Sequence, residues 1–281
     1  MKKILTIFNS LLLASICLFS SCSKENEPSA TDELSGLQKV TSIAANNHII
    51  DVYTASGSFT TGYNEVFLQI KNSNGTAISD ASLSWMPVMK MTSMSHSCPF
   101  SSITKVPNAQ FTYKGYIVFQ MAGNSAEGWE LRIDYSINGV AYTANSNIVV
   151  NASTRRTVNS FLGTDNQRYV MALLPIKNPI VGLNDVEAVV YRMENMMSFV
   201  PVSGYTILID PRMPGMGNHG SPNNVNLVSA PNSIYKGRLS LTMSGLWKIN
   251  LQLQAADGQI LKGEAVTDTV TASSIYFEIE F

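Results

Sequence analysis

Two short stretches gather soft and borderline metal ligands. "PVMKMTSMSHSCP", residues 87–99, carries Met89, Met91, Met94, His96 and Cys98, and "PRMPGMGNHGSP", residues 211–222, carries Met213, Met216 and His219. Thioether sulfur is soft and uncharged, so it binds Cu(I) while competing poorly for Zn²⁺ or hard cations, and imidazole or thiolate strengthens such a site. Two of the three histidines in the chain occupy matching places in these loops, whereas His48 lies outside them and needs only a structural role. In an extended chain, side chains two apart share a face, which aligns Met89 with Met91 and, past a turn, Met94 with His96. Met121 and Met243 sit at equivalent strand ends and are expected to approach the loop of their own half, completing sites of three or four ligands.

Packing offers a second account of the same residues. Methionine fills irregular gaps in cores and makes sulfur–aromatic contacts, for which Trp85, Trp129 and Trp247 are at hand. His96 and His219 would then be loop histidines bonded to backbone. Met193, Met196 and Met197, in "YRMENMMSF", fit a strand end followed by a hairpin turn and read as packing or an exposed apolar tip.

The elements that must position these residues are strands. "EVFLQIK", "SLSWM", "YIVFQM", "WELRIDYSI" and "SNIVVNAS" in the first part, then "VEAVVYRM", "YTILID", "RLSLTM", "LWKINLQLQ" and "IYFEIEF", are short, β-branched or aromatic runs bounded by "NSNG", "AGN" and "NG" turns. No long amphipathic helix stands out. The two sets overlay: "YKGYIVFQMAGNSAEGWELRIDY" from 113 matches "YKGRLSLTMSGLWKINLQL" from 235. Tyr113 to Met121 and Tyr235 to Met243 are both separations of eight, and the histidine-to-tyrosine spacings are seventeen and sixteen. Such agreement reads as a tandem duplication. The expected architecture is all-β, with two tandem immunoglobulin-like β-sandwiches over 41–153 and 154–281.

A Pro-Met-rich loop with histidine, a Tyr-x-Gly strand start, then Met-x-Gly and Trp opening the last strands resembles the YtkA-like and FixH-like domains of exported or membrane-attached bacterial proteins. The positions are Pro87, Met89, Met91, Met94, His96, Tyr113, Gly115, Met121, Gly123 and Trp129, then Pro211, Met213, Met216, His219, Tyr235, Gly237, Met243, Gly245 and Trp247. The resemblance implies a role in copper handling. The chain departs from it by the insertion "NSAE" before Trp129 and by having Cys98 in the first copy alone.

The N-terminus bounds location and redox chemistry. "MKK" is a positive n-region, "ILTIFNSLLLASICLF" an apolar h-region too short to favour a span, and "SSC" places small residues before Cys22. "LFSSC" resembles the relaxed lipobox of Bacteroidetes-type lipoproteins, which implies a signal peptide over 1–21, lipidation at Cys22, a polar tether over 22–40 and a membrane anchor, with outer-membrane placement in the cell envelope. Cys17 leaves with the signal and Cys22 is acylated, so Cys98 has no disulfide partner within the mature chain.

Formal net charge is −1, and −3 without residues 1–21, which hold Lys2 and Lys3 and no acid. No basic stripe for nucleic acid follows from this balance. Phosphate loops, a G-x-S-x-G elbow and H-E-x-x-H are absent, and "SHSCP" offers a Cys-His pair with no orienting third group. The sequence therefore points to a non-enzymatic envelope lipoprotein that binds or passes Cu(I). Its alternative is an interaction module docking on an envelope protein through adaptable Met-Pro loops.

Overall fold

The computed structural model describes residues 32–230 and 233–281. The expected signal peptide, with Cys17, and the expected lipidation at Cys22 lie outside the described residues. Residues Glu33–Phe281 form one compact unit.

The first half contributes β1 (Gln38–Ala45), β2 (His48–Thr54), β3 (Phe59–Thr60), β4 (Gly62–Asn72), β5 (Ser82–Lys90), β6 (Ser95–His96), β7 (Thr104–Lys105), β8 (Thr112–Phe119), β9 (Gly128–Ile137), β10 (Val140–Ile148) and β11 (Val150–Asn151). One sheet runs β1-β2-β4-β8-β7 and the facing one β10-β9-β5-β6. Taking β2 as the first principal strand, this is the A-B-E-D over G-F-C order of the immunoglobulin sandwich, with β6 added beside C. Alternation along β4 and β9 turns Val66, Leu68, Ile70, Leu131 and Ile133 inward, where they meet Trp85, Met89, Ile117 and Phe119.

The second half contributes β12 (Val158–Leu162), β13 (Arg168–Leu173), β14 (Gly182–Asn195), β15 (Ser198–Pro201), β16 (Thr206–Met213), β17 (His219–Gly220), β18 (Val225–Ser229), β19 (Ile234–Leu241), β20 (Leu246–Gln254), β21 (Ile260–Lys262) and β22 (Tyr276–Glu280). The same order recurs, β13-β14-β19-β18 and β22-β20-β16-β17. Here β18 pairs with both β19 and β16, so the two layers join into one continuous sheet around a core that includes Tyr235, Trp247, Leu251 and Phe277.

The repeated Tyr-x-Gly start has a physical cause in each copy. Tyr113 Oη donates to the Ser79 carbonyl at 3.0 Å and Tyr235 Oη to that of Val202 at 3.1 Å, pinning the strand to a loop. Gly115 lies so close to Trp85 that a Cβ would sit 2.7 Å from the indole, and at Gly237 it would sit 2.5 Å from the Val225 carbonyl oxygen. Neither position admits a side chain without movement.

Part of the range expected as a tether, 22–40, is ordered. Strand β1 begins at Gln38, and the Glu33 carboxylate accepts hydrogen bonds from the Phe111 amide and the Thr112 hydroxyl. Polar composition hid this, because β1 is an edge strand with a largely solvated face.

A third cluster joins the halves. Val118 on the outer face of the first sandwich packs with Val170, Ala172, Val189 and Tyr191, and the Tyr116 and Tyr191 hydroxyls lie 2.7 Å apart.

Candidate functional site

The first Met/His loop is the turn between β5 and β6. The Met91 amide donates to the Met94 carbonyl at 3.0 Å, reversing the chain so that His96 pairs with Met89. Met89 also pairs with Trp129 on β9, so His96, Met89 and Trp129 form one row across three strands. The His96 ring meets the Trp129 ring edge-on at 5.6 Å, and Trp129 in turn packs on Phe119 at 4.9 Å. Trp129 Nε1 donates to the Met121 carbonyl at 3.0 Å, which brings the end of β8 to the same end of the sandwich.

His96 Nδ1 lies 2.8 Å from the Ser97 carbonyl oxygen. A carbonyl only accepts, so Nδ1 carries the hydrogen and, in the neutral ring, Nε2 keeps the lone pair. That is the arrangement by which backbone carbonyls commonly orient metal-ligating imidazoles.

The second loop repeats the topology. A single 3-10 turn over Pro214–Met216 is closed by Gly217 in the left-handed region, and β17 then pairs His219 with Met213 as β6 pairs His96 with Met89. Trp247 Nε1 donates to the Met243 carbonyl at 2.9 Å, matching Trp129 and Met121. Met243 is half-buried against the second core, while His219 is exposed.

Burial divides the sequence-derived candidates. Met89, Met213 and Cys98 are core residues. Burial pushes the Cys98 thiol pKa well up, so no thiolate is offered at neutral pH. Met91 is half-buried against the first core and His96 is half-buried. Met94, Met121 and Met216 are exposed, at 52, 39 and 57%. Among the described residues no three or more His, Cys, Asp or Glu side chains cluster as a metal site, so thioethers would have to supply most ligands.

Two features escaped sequence reasoning. The Met86 sulfur lies 3.5 Å from the buried Ser97 hydroxyl, and the Ser97 amide donates to the Met196 carbonyl of the second half at 2.8 Å. The doubled methionine of "ENMMSF" was the one available signal, since the contact joins positions far apart in the chain. The inserted "NSAE" is a turn: Asn124 Oδ1 accepts from the Ala126 and Glu127 amides at 2.8 and 2.9 Å.

No family model matches the chain, and no curated protein matches it. Among solved structures it is similar to that of FdeC, an Escherichia coli adhesin, at 21% identity and a TM-score of 0.26. The match covers 79% of this chain and spans 64% of the length of that one. A TM-score of that size adds nothing to the architecture already evident from the strand order.

Proposed function

We propose that the chain is a non-enzymatic, lipid-anchored cell-envelope protein that binds or passes Cu(I) at the Met/His rim of its first half. His96 Nε2 is the nitrogen ligand, and Met91, Met94 and Met121 are the thioether candidates. Met89 and Trp129 form the floor beneath them, and Cys98 serves the core. The observation that carries this reading is the His96 Nδ1 bond to the Ser97 carbonyl, which leaves Nε2 as the coordinating nitrogen. Soft, neutral ligands favour Cu(I) over Zn²⁺.

The test is an anaerobic Cu(I) titration of the chain from residue 23, which keeps the whole compact unit, in competition with a colorimetric chelator and alongside Zn²⁺. We expect tight Cu(I) uptake with little Zn²⁺, and a loss of at least about tenfold in affinity in the His96→Ala, Met94→Ser double variant, corresponding to about 1.4 kcal/mol. Unchanged affinity in that variant, with its circular dichroism intact, removes the assignment.

The exposure of Met94, Met121 and Met216 also favours a second reading, in which these flexible apolar side chains form an adaptable contact for an envelope protein. A partner retained without copper and lost on Met216→Ser supports that reading.

A further inference from the structure

We infer that the Met196–Met197 turn of the second half supplies thioether ligands to the same copper ion, so that one site bridges the two sandwiches. The inference rests on the copper reading of His96 given above.

Strand β6 is two residues long and pairs with β5 along one side. Just beyond it, the Ser97 amide donates to the Met196 carbonyl, so the β14–β15 turn lies against the chain directly after His96. The turn is held in shape: Asn195 Oδ1 accepts from the Met197 amide at 2.9 Å, and β14 and β15 pair with a register shift between Met193 and Asn195. Hairpin turns ordinarily take Gly, Asn or Asp, which satisfy the backbone with little apolar cost. This one carries two methionines, 40 and 38% exposed. Large apolar side chains on a rigid turn give up hydrophobic free energy without filling a core. A cost of that kind is explained when the sulfur atoms have a ligand to meet.

Met94 ends the turn that leads into His96, while Met86, whose sulfur is 3.5 Å from Ser97 Oγ, lies on the other face of β5 from the Met89–His96 row and is not among the ligands. Cu(I) is satisfied by a few soft ligands with loose angular demands, which flexible methionines on two separate elements can meet. The occupant is thus a soft monovalent cation, and its binding joins the halves.

Three proteins decide the matter, each the chain from residue 23: wild type, His96→Ala, and the Met196→Leu, Met197→Leu double variant, which keeps apolar volume while removing sulfur. Each is titrated with Cu(I) against the chelator, and sulfur coordination is counted by X-ray absorption at the copper edge. We expect one Cu(I) per chain in the wild type, an affinity reduced tenfold or more in the leucine variant, and a lower sulfur count in whatever copper that variant retains. Wild-type affinity and sulfur count in the leucine variant, with binding lost in His96→Ala, would overturn the bridge and leave the first-half site standing. Absence of Cu(I) uptake by the wild type would overturn both.

Discussion

Asp51 shows how one residue can tie three strands together. It is buried on β2, its carboxylate 2.9 Å from Lys39 Nζ of β1 and 2.8 Å from Lys71 Nζ of β4, with the Ser42 and Tyr53 hydroxyls also donating. Burial pushes its carboxyl pKa up, but the bonds from Lys71, Ser42 and Lys39 outweigh this and hold it down at about 2, against an ordinary 3.8. The folded-state value is the depressed one. Its contribution, about 2 kcal/mol, is therefore full above pH 4 and is lost as pH falls toward 2. Urea unfolding between pH 6 and 2 should show this acid limb in the wild type. Asp51→Asn should lose about 2 kcal/mol at pH 6 and flatten the limb below pH 4. An unchanged limb in the variant means the network adds nothing. Sequence reading passed over this residue because its partners come from separate strands, one of them placed in the expected tether. The correspondence of the two loops was legible, since residue type and spacing are local, and the pairing of His96 with Met89 and of His219 with Met213 repeats it. What it missed was burial: Met89 on β5 and Cys98 just after β6 are in the core, whereas Met94, in the turn between the two strands, is exposed.

Among elements, β4 and β14 share a device that aromatic and sulfur anchors did not reveal. In "GYN" at 62–64 and "GLN" at 182–184, a glycine with φ of 102° or 128° precedes a buried asparagine. Asn64 accepts from the Thr60 amide at 3.0 Å and donates to the Thr60 and Gly62 carbonyls at 2.8 and 2.9 Å. Asn184 repeats all three bonds with Ile180 and Gly182. Each asparagine therefore locks the bend that starts its strand. Asn184→Ala leaves those backbone groups short of partners and should cost about 1–3 kcal/mol in chemical unfolding; a loss under about 0.5 kcal/mol would show that water replaces the amide. The strands themselves were legible, because alternation marks a sheet with one buried face. In β6, two residues long, and in β1, an edge strand with one fully buried residue, that signal is too weak to read.

Across the whole molecule, the sandwiches meet through outward-facing Val118, Val170, Val189 and Tyr191. The signal was present as runs apolar on both faces, "YVMAL" and "AVVY", which mark strands covered on each side. The identity of the covering surface was not, since any apolar face fits such a run. This shared cluster should make the halves unfold in one cooperative transition. Val118→Asp buries a charge there and should split the melting curve into two, leaving each sandwich core intact; a single transition at lower temperature would mean that one half cannot stand without the other. The bond from Ser97 to Met196 carries a consequence in time. Its two ends are about a hundred residues apart, so in a chain that emerges N-terminus first the edge beyond β6 is exposed before its partner follows. Through that interval an amide that the finished protein covers is an open strand edge, and it is the place where a second nascent copy would pair first.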